Sequence, residues 1–123
     1  MWVFTQDGFI SAVDNKVKPG LLAVRARDRQ SLEALSEMAG SEIEFTPRRD
    51  YQYRTYVSRE MLEDFIKLSI ETLDYPNFKD RLYASRGAQF AHAAGNVWTS
   101  MLAVADKEYE EWYTDEYSAK NSR

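Results

Sequence analysis

Arginine and tyrosine side chains alternate along two predicted strands, and this pattern is the feature of the chain that most resembles a binding surface. In LLAVRAR, Arg25 and Arg27 lie on one side, and in DYQYRTYV, Arg54 and Tyr56 share a side. If the two strands are neighbours, these side chains form a cationic, aromatic sheet surface, which we call the open face. Such surfaces bind nucleotides or single-stranded nucleic acid by stacking bases and contacting phosphates. The alternative is a solvated sheet face with ordinary cross-strand pairs.

The opposite side of the tyrosine strand is more apolar and consists of Tyr51, Tyr53, Thr55 and Val57. We expect this set to face a core covered by helices, where the two tyrosines bury large rings if their hydroxyls find partners. Gln52 then joins Arg54 and Tyr56 on the open face.

A second group of polar residues comes from two separate motifs. Asp50 opens DYQYR, whereas Asp74, Asn77 and Lys79 belong to DYPNFKD. These residues can act structurally, in turns, caps and ion pairs, or they can converge on a polar site at one end of the sheet. A carboxylate site around Asp50 and Asp74 is the enzymatic alternative, but no feature of the spacing places the pair in a cleft.

Other catalytic and cofactor-binding motifs are missing from the sequence. The chain has no cysteine, which excludes disulfides, thiolate metal sites and cysteine nucleophiles. His92 is the single histidine, and we expect it to pack between helices instead of binding a metal. No glycine-rich phosphate loop occurs. We therefore expect no enzymatic activity, no metal and no cofactor.

Size and charge restrict the possible class of protein. With 123 residues, 44% of them hydrophobic and 29% charged, the chain is typical of one globular domain. No apolar run is long enough to span a membrane and the N-terminus lacks a signal-peptide pattern, so we expect a cytoplasmic protein. The net charge is −4. Since the charges of residues 1–105 nearly balance, binding of nucleic acid by charge alone is disfavoured.

Hydrophobic periodicity and turn signals predict an α+β fold. The Asp-Gly step near the N-terminus predicts a β-hairpin, and the strand patterns that follow alternate with helices over 29–39 and from Ser58 onwards. This order matches a ferredoxin-like βαββα core preceded by a hairpin. We expect an antiparallel sheet of about five strands with helices on one face, then a short helix over 77–84 and a long C-terminal helix.

The long C-terminal helix begins near Ala88 and carries apolar residues at spacings of three and four as far as Trp112. We expect Trp98 to be a core anchor, and Tyr109 and Trp112 to pack back on the domain. The small residues of Ala93-Ala94-Gly95 allow close packing, either within the chain or in a homodimer.

The end of this helix is acidic and aromatic. We expect one domain over 1–105 and an acidic, helical or frayed tail over 106–123. An alternative to packing on the domain is that Trp112, Tyr113 and Tyr117 dock in a basic, apolar groove of a protein partner.

Three motifs, together with the last helix, carry a resemblance to a known family. MWVFTQDGFIS, DYQYR and DYPNFKD, followed by a helix with His92, Val97, Trp98 and Met101, resemble a family of small uncharacterised bacterial and phage-borne proteins. Ile10 departs from the aromatic residue of that pattern. The matching positions are Trp2, Phe4, Thr5, Gly8, Phe9, Ser11, Asp50, Tyr51, Tyr53, Arg54, Asp74, Tyr75, Asn77, Phe78 and Lys79. The resemblance covers most of residues 1–105 and implies one domain without implying an activity.

These observations together predict a non-enzymatic interaction or regulatory protein, such as a phage-type accessory protein, that binds another macromolecule. We expect a protein partner, with a homodimer as one form of it. The alternative is that the open face binds a nucleotide or single-stranded nucleic acid.

Overall fold

The computed structural model describes residues 1–121, without the side chains of residues 118 and 121, and has the predicted α+β fold. The strands are β1 (Trp2–Thr5), β2 (Gly8–Asp14), β3 (Leu22–Ala26), β4 (Glu44–Phe45) and β5 (Tyr53–Val57). The helices are α1 (Gln30–Ala39), α2 (Arg59–Glu71), α3 (Phe78–Arg86) and α4 (Ala88–Asn121).

The five strands form one antiparallel sheet in the order β1-β2-β3-β5-β4. Strand β5 lies between β3 and β4, which α1 connects, and this arrangement is the split βαβ unit of a ferredoxin-like fold. Strand β2 of the opening hairpin pairs with the free side of β3, and β1 forms the edge of the sheet beyond it. The predicted ferredoxin-like core preceded by a hairpin is therefore confirmed.

Helices α1 and α2 cover one face of the sheet and form the hydrophobic core with it. Leu32 and Leu35 of α1 are fully buried, and Leu62 and Phe65 of α2 are nearly so. They pack on the strand residues Ile10, Ala12, Leu22, Val24, Ala26 and Val57. Each large apolar side chain buried in this way stabilises the fold by roughly 1.5–3 kcal/mol.

Two predicted helix starts have the expected caps. The hydroxyl of Ser58 and the side-chain oxygen of Asn77 each accept a hydrogen bond from the backbone N–H three residues later, at 3.2 and 3.0 Å. Helix α2 ends at Glu71, and Leu73 lies beyond its end and is exposed. Pro76 explains why no helix continues through this segment, since it disfavours helical geometry in the preceding residue.

Helices α3 and α4 form a hairpin that turns at Gly87. Leu82 of α3 and Ala91 of α4 are fully buried, and the Tyr83 hydroxyl lies 2.5 Å from Nε2 of His92. The Ser85 hydroxyl donates to the carbonyl of Gln6 at 2.7 Å and so joins α3 to the turn of the β1–β2 hairpin. Thus α3 and the first turns of α4 are attached to the end of the sheet.

The rest of α4 projects away from the domain, and the expectation that Trp98 is a core anchor is wrong. Trp98 is 69% exposed, and every described side chain from Asn96 onwards is exposed. Tyr109 and Trp112 are exposed as well, so they do not pack back on the domain. Trp98 stays exposed because α3 is much shorter than α4, with 9 residues against 34. The start of α3 already lies beside Gly95, so α3 does not extend along the rest of α4.

Trp98→Ala is therefore expected to change the free energy of unfolding by no more than about 0.5 kcal/mol, because the side chain is 69% exposed and follows the part of α4 that lies beside α3. Urea denaturation of the two proteins, followed by circular dichroism at two protein concentrations, measures the difference. A loss of about 3 kcal/mol or more would show that Trp98 is buried in the core.

Candidate binding surfaces

Strand register brings three of the four predicted binding residues together on the open face. Arg25 of β3 lies directly opposite Arg54 of β5, and Tyr56 follows two residues further along β5. Arg25 Nη2 donates to the Ser11 hydroxyl at 2.9 Å, and Arg54 Nη2 donates to the carbonyl of Tyr51 at 3.5 Å. The Nε atoms of Arg25 and Arg54 are buried without a hydrogen-bond partner.

The fourth predicted residue, Arg27, meets Arg25 at the ring of Tyr51. The guanidinium carbons of Arg25 and Arg27 lie 4.6 and 5.1 Å from the centroid of this ring. Tyr51 is 4% exposed, but it is buried on the open face, next to Phe9. The expectation that Tyr51 joins the helix-covered core is wrong.

Tyr51 does not follow the alternation of β5, because it lies before the strand begins. Strand β5 begins at Tyr53, and Tyr51 lies in a bend before it, so the alternation of a strand does not extend back to Tyr51. Within β5 the predicted alternation is confirmed. Thr55 and Val57 are buried on the helix side, and Tyr53 packs against the same core.

Acidic residues near the open face already have cationic partners. Glu44 pairs with Lys18 at 3.5 Å, and Asp14 pairs with Arg59 at 3.7 Å. Lys18 Nζ also lies 4.0 Å from the centroid of the Tyr56 ring. Within residues 1–121, no carboxylate lies within 4.0 Å of the guanidinium groups of Arg25, Arg27, Arg49 and Arg54. The open face therefore has an excess of positive charge.

A groove lies between the β1–β2 hairpin and the first turns of α4, and we call it the hairpin–α4 groove. Its volume is about 600 Å³. One wall is aromatic: the rings of Phe4 and Phe9 stack at 4.5 Å, and Trp2 meets Phe9 edge-on at 6.0 Å. The helix wall consists of Phe90, Ala93, Ala94 and Val97, and the polar residues of the groove are Arg27, Asp28, Ser31, Arg86 and Gln89.

The aromatic wall was not among the binding surfaces predicted from the sequence. The residues of this wall could have been grouped from the sequence, because a hairpin with its turn at Gln6-Asp7 places Phe4 opposite Phe9 and Trp2 opposite Ser11. All of these side chains then share the face that carries Arg25. The wall across the groove was not predictable, since it depends on where α4 docks.

Arg86 holds the α3–α4 hairpin on the domain. Its side chain is 6% exposed, and Nη1 donates to the carbonyl of Asp7 at 2.7 Å and to the Ser31 hydroxyl at 3.2 Å. Nη2 donates to the carboxylate of Asp28, and the guanidinium lies 4.2 Å from the centroid of the Phe90 ring. Arg86 thereby joins both walls of the groove. This role of Arg86 was not predictable from the sequence, because its partners are distant along the chain.

The predicted polar motif residues have mainly local contacts. Asp74 accepts a hydrogen bond from Arg81 at 2.6 Å, Asn77 caps α3, and the side chain of Lys79 lies beside Gly95. The carboxylate of Asp50 accepts from the backbone N–H of the next residue at 3.0 Å. No contact in the described part of the chain joins Asp50 to the other three.

The predicted docking residues of the tail lie on the projecting end of α4. Trp112, Tyr113 and Tyr117 are each more than half exposed. The ring of Tyr113 stacks with those of Tyr109 and Tyr117, at 6.4 and 6.3 Å. The tail is helical as far as Asn121. The last two residues of the predicted tail, 122 and 123, lie outside the described residues.

Neither a metal-binding cluster nor a membrane span appears in residues 1–121. No group of three or more histidine, aspartate or glutamate side chains there is arranged to hold a metal ion. None of the helices described is long and apolar enough to cross a membrane.

Comparison of the chain with protein-family models, with curated proteins and with solved structures finds no match in any of the three.

Proposed function

We propose that this chain is a non-enzymatic interaction protein that binds a protein partner through α4. The observation that carries the proposal is an apolar stripe on the projecting part of this helix, which we call the α4 stripe. It consists of Trp98, Met101, Ala105, Tyr109 and Trp112, all of them exposed. Their spacings of three and four place them on one side of the helix, over a length of about 21 Å.

An unpaired apolar surface of this kind is unusual on a domain that functions alone. The largest members of the α4 stripe, Trp98, Tyr109 and Trp112, are 69%, 62% and 57% exposed. Large contiguous apolar patches on a protein surface mark interaction sites, and tryptophan and tyrosine contribute most to the affinity of such sites. An amphipathic helix that lies in a groove of its partner uses this spacing of anchor residues.

The charges around the stripe indicate what kind of partner fits. Six of the nine charged residues in 106–123 are acidic, and Glu108 and Glu116 lie on the same side of the helix as the stripe. A partner groove that is apolar opposite Trp98–Tyr109 and basic opposite Trp112–Glu116 complements both features. Two parallel copies of α4 would instead bring like charges together, which favours a different protein as the partner.

A photo-crosslinking amino acid placed on α4 tests the proposal. At Met101, on the stripe, we expect it to form a discrete adduct with a protein of different mass in lysate of the source organism. At Lys107, on the opposite side, we expect no such adduct, because this side faces solvent in the complex.

Removal of the two tryptophans of the stripe and the mass of the adduct test the proposal further. The double variant Trp98→Ala/Trp112→Ala, with the probe still at Met101, is expected to reduce the adduct at least tenfold, since anchors of this type each contribute about 2 kcal/mol or more. An adduct with a second copy of the chain would identify the partner as itself. Equal labelling from both sides of α4 would contradict the proposal.

A further inference from the structure

We infer that the hairpin–α4 groove binds a nucleotide unit, with its planar base in the groove and its phosphate on the arginines of the open face. This site uses the first turns of α4 and the sheet, and it does not use the α4 stripe. It is therefore independent of the proposed protein partner.

The two walls of the groove suit a flat ring. One wall carries Trp2, Phe4 and Phe9, whose rings offer a stacking surface, and Trp2 is 73% exposed. The other wall carries the small residues Ala93 and Ala94, which leave space beside these rings. Stacking on aromatic side chains is the usual way in which proteins hold unpaired bases, and it contributes about 1–3 kcal/mol per base. A volume of about 600 Å³ is ample for one base.

The polar end of the groove is fixed before any ligand arrives. Arg86 is buried there and is held by Asp7, Asp28 and Ser31, while its Nε has no partner. The Asp28 carboxylate, whose side chain is 42% exposed, and the Gln89 amide supply acceptors and donors at the groove surface. The hydrogen-bonding edge of a base requires groups of these two kinds.

The positive charge next to the groove suits a phosphate. Arg27 lines the groove, and Arg25 and Arg54 continue from it across two neighbouring strands without carboxylate partners within residues 1–121. The helix wall carries no carboxylate to oppose this charge, because residues 87–105 contain no aspartate, glutamate, lysine or arginine, and His92 is the one titratable residue among them. The acidic part of α4 begins at Asp106, roughly 14 Å along the helix from Val97. The net charge of the whole chain therefore does not describe the charge at this site.

Two kinds of ligand carry a base and a phosphate in this arrangement. One is a free mononucleotide, and the other is one nucleotide unit within a single strand. Arg27, Arg25 and Arg54 supply three cationic side chains next to the groove, more than one phosphate needs, so we expect a single strand to gain contacts that a mononucleotide lacks. Binding to a strand would be tighter and would weaken steeply as the salt concentration rises.

Fluorescence of Trp2 tests the base site directly. In the double variant Trp98→Phe/Trp112→Phe, Trp2 is the remaining tryptophan of the three in the chain. We expect its fluorescence to be quenched on titration with adenosine monophosphate or with an oligodeoxythymidylate of about ten nucleotides. Tighter, salt-sensitive binding of the oligonucleotide identifies a single strand as the ligand, whereas equal affinities identify a mononucleotide.

Anisotropy of a labelled oligonucleotide tests the side chains one by one. Trp2→Ala and the double variant Arg27→Ala/Arg54→Ala are each expected to weaken binding about tenfold or more. The matched controls Trp98→Ala and Lys67→Ala, which remove the same kinds of side chain from α4 and α2, should stay within about twofold. Circular dichroism verifies that each variant is folded. Absence of quenching by either ligand, or equal loss of affinity in Lys67→Ala, would overturn the inference.

Discussion

Gly8→Ala is expected to lower the free energy of unfolding by about 3 kcal/mol or more, the largest effect that we expect from a single methyl group in this chain. Gly8 has a φ of +145°, a conformation that side-chain-bearing residues rarely adopt. A Cβ at this position would overlap the Ser31 hydroxyl and Nη1 of Arg86 and would lie 2.9 Å from the Ser31 Cβ. The backbone at Gly8 and the neighbouring side chains of Ser31 and Arg86 would both have to move.

Gly95→Ala is the matched control for this prediction. Gly95 lies within α4, and the nearest atoms to an added Cβ belong to the flexible side chain of Lys79 at 3.9 Å. Alanine in a helix is more favourable than glycine by roughly 0.5–1 kcal/mol, so this variant should be as stable as the parent or slightly more stable. Urea denaturation of both variants provides the comparison. Equal stability of Gly8→Ala and Gly95→Ala would show that the hairpin, α1 and α3 do not meet as described.

Arg86→Ala is expected to lower the free energy of unfolding by about 2–4 kcal/mol and to release the α3–α4 hairpin from the sheet. The substitution removes the hydrogen bonds to Asp7, Asp28 and Ser31. Removal of one partner from a buried ion pair costs about 3–5 kcal/mol, and the 42% exposure of the Asp28 side chain reduces this cost. The contact with the Phe90 ring is lost as well.

Hydrogen exchange distinguishes this release from general destabilisation. In Arg86→Ala, amide protection should fall first in α3 and the start of α4, while β2, β3 and β5 keep theirs. Arg81→Ala is the control on the same helix. Its pair with Asp74 is more exposed, at 32% and 70% of the two side chains, and should contribute at most about 1 kcal/mol. Uniform loss of protection across the sheet and the hairpin would contradict the role that we assign to Arg86.

The proposed nucleotide site and the proposed α4 interaction depend differently on Arg86. Release of the α3–α4 hairpin removes one wall of the hairpin–α4 groove, so Arg86→Ala should abolish the Trp2 quenching. The α4 stripe lies beyond the contacts of α3, and the Met101 crosslink should persist. Arg86→Ala thus provides a way to separate the two activities in one protein.

Interactions between near neighbours in the chain were predictable from residue types and spacing. The N-terminal hairpin, the caps at Ser58 and Asn77, and the alternation along β5 all appear in the structure as expected, with the hairpin turn at Gln6-Asp7. Each depends on backbone preferences or hydrogen bonds within a few residues, where chain geometry leaves few alternatives. The order of these elements was sufficient to predict the ferredoxin-like sheet, because short connections restrict which strands can be neighbours.

Contacts between distant parts of the chain were not predictable in the same way. Helical spacing shows that α4 has an apolar side, but it cannot show that α3 covers only the first turns, so Trp98 was wrongly assigned to the core. Tyr51 was assigned to the wrong face because the start of β5 depends on its pairing with β3 and β4. The groove and the anchoring role of Arg86 arise where the hairpin turn, α1 and α3 meet. No local pattern encodes such a meeting, since it results from the packing of segments that are far apart along the chain.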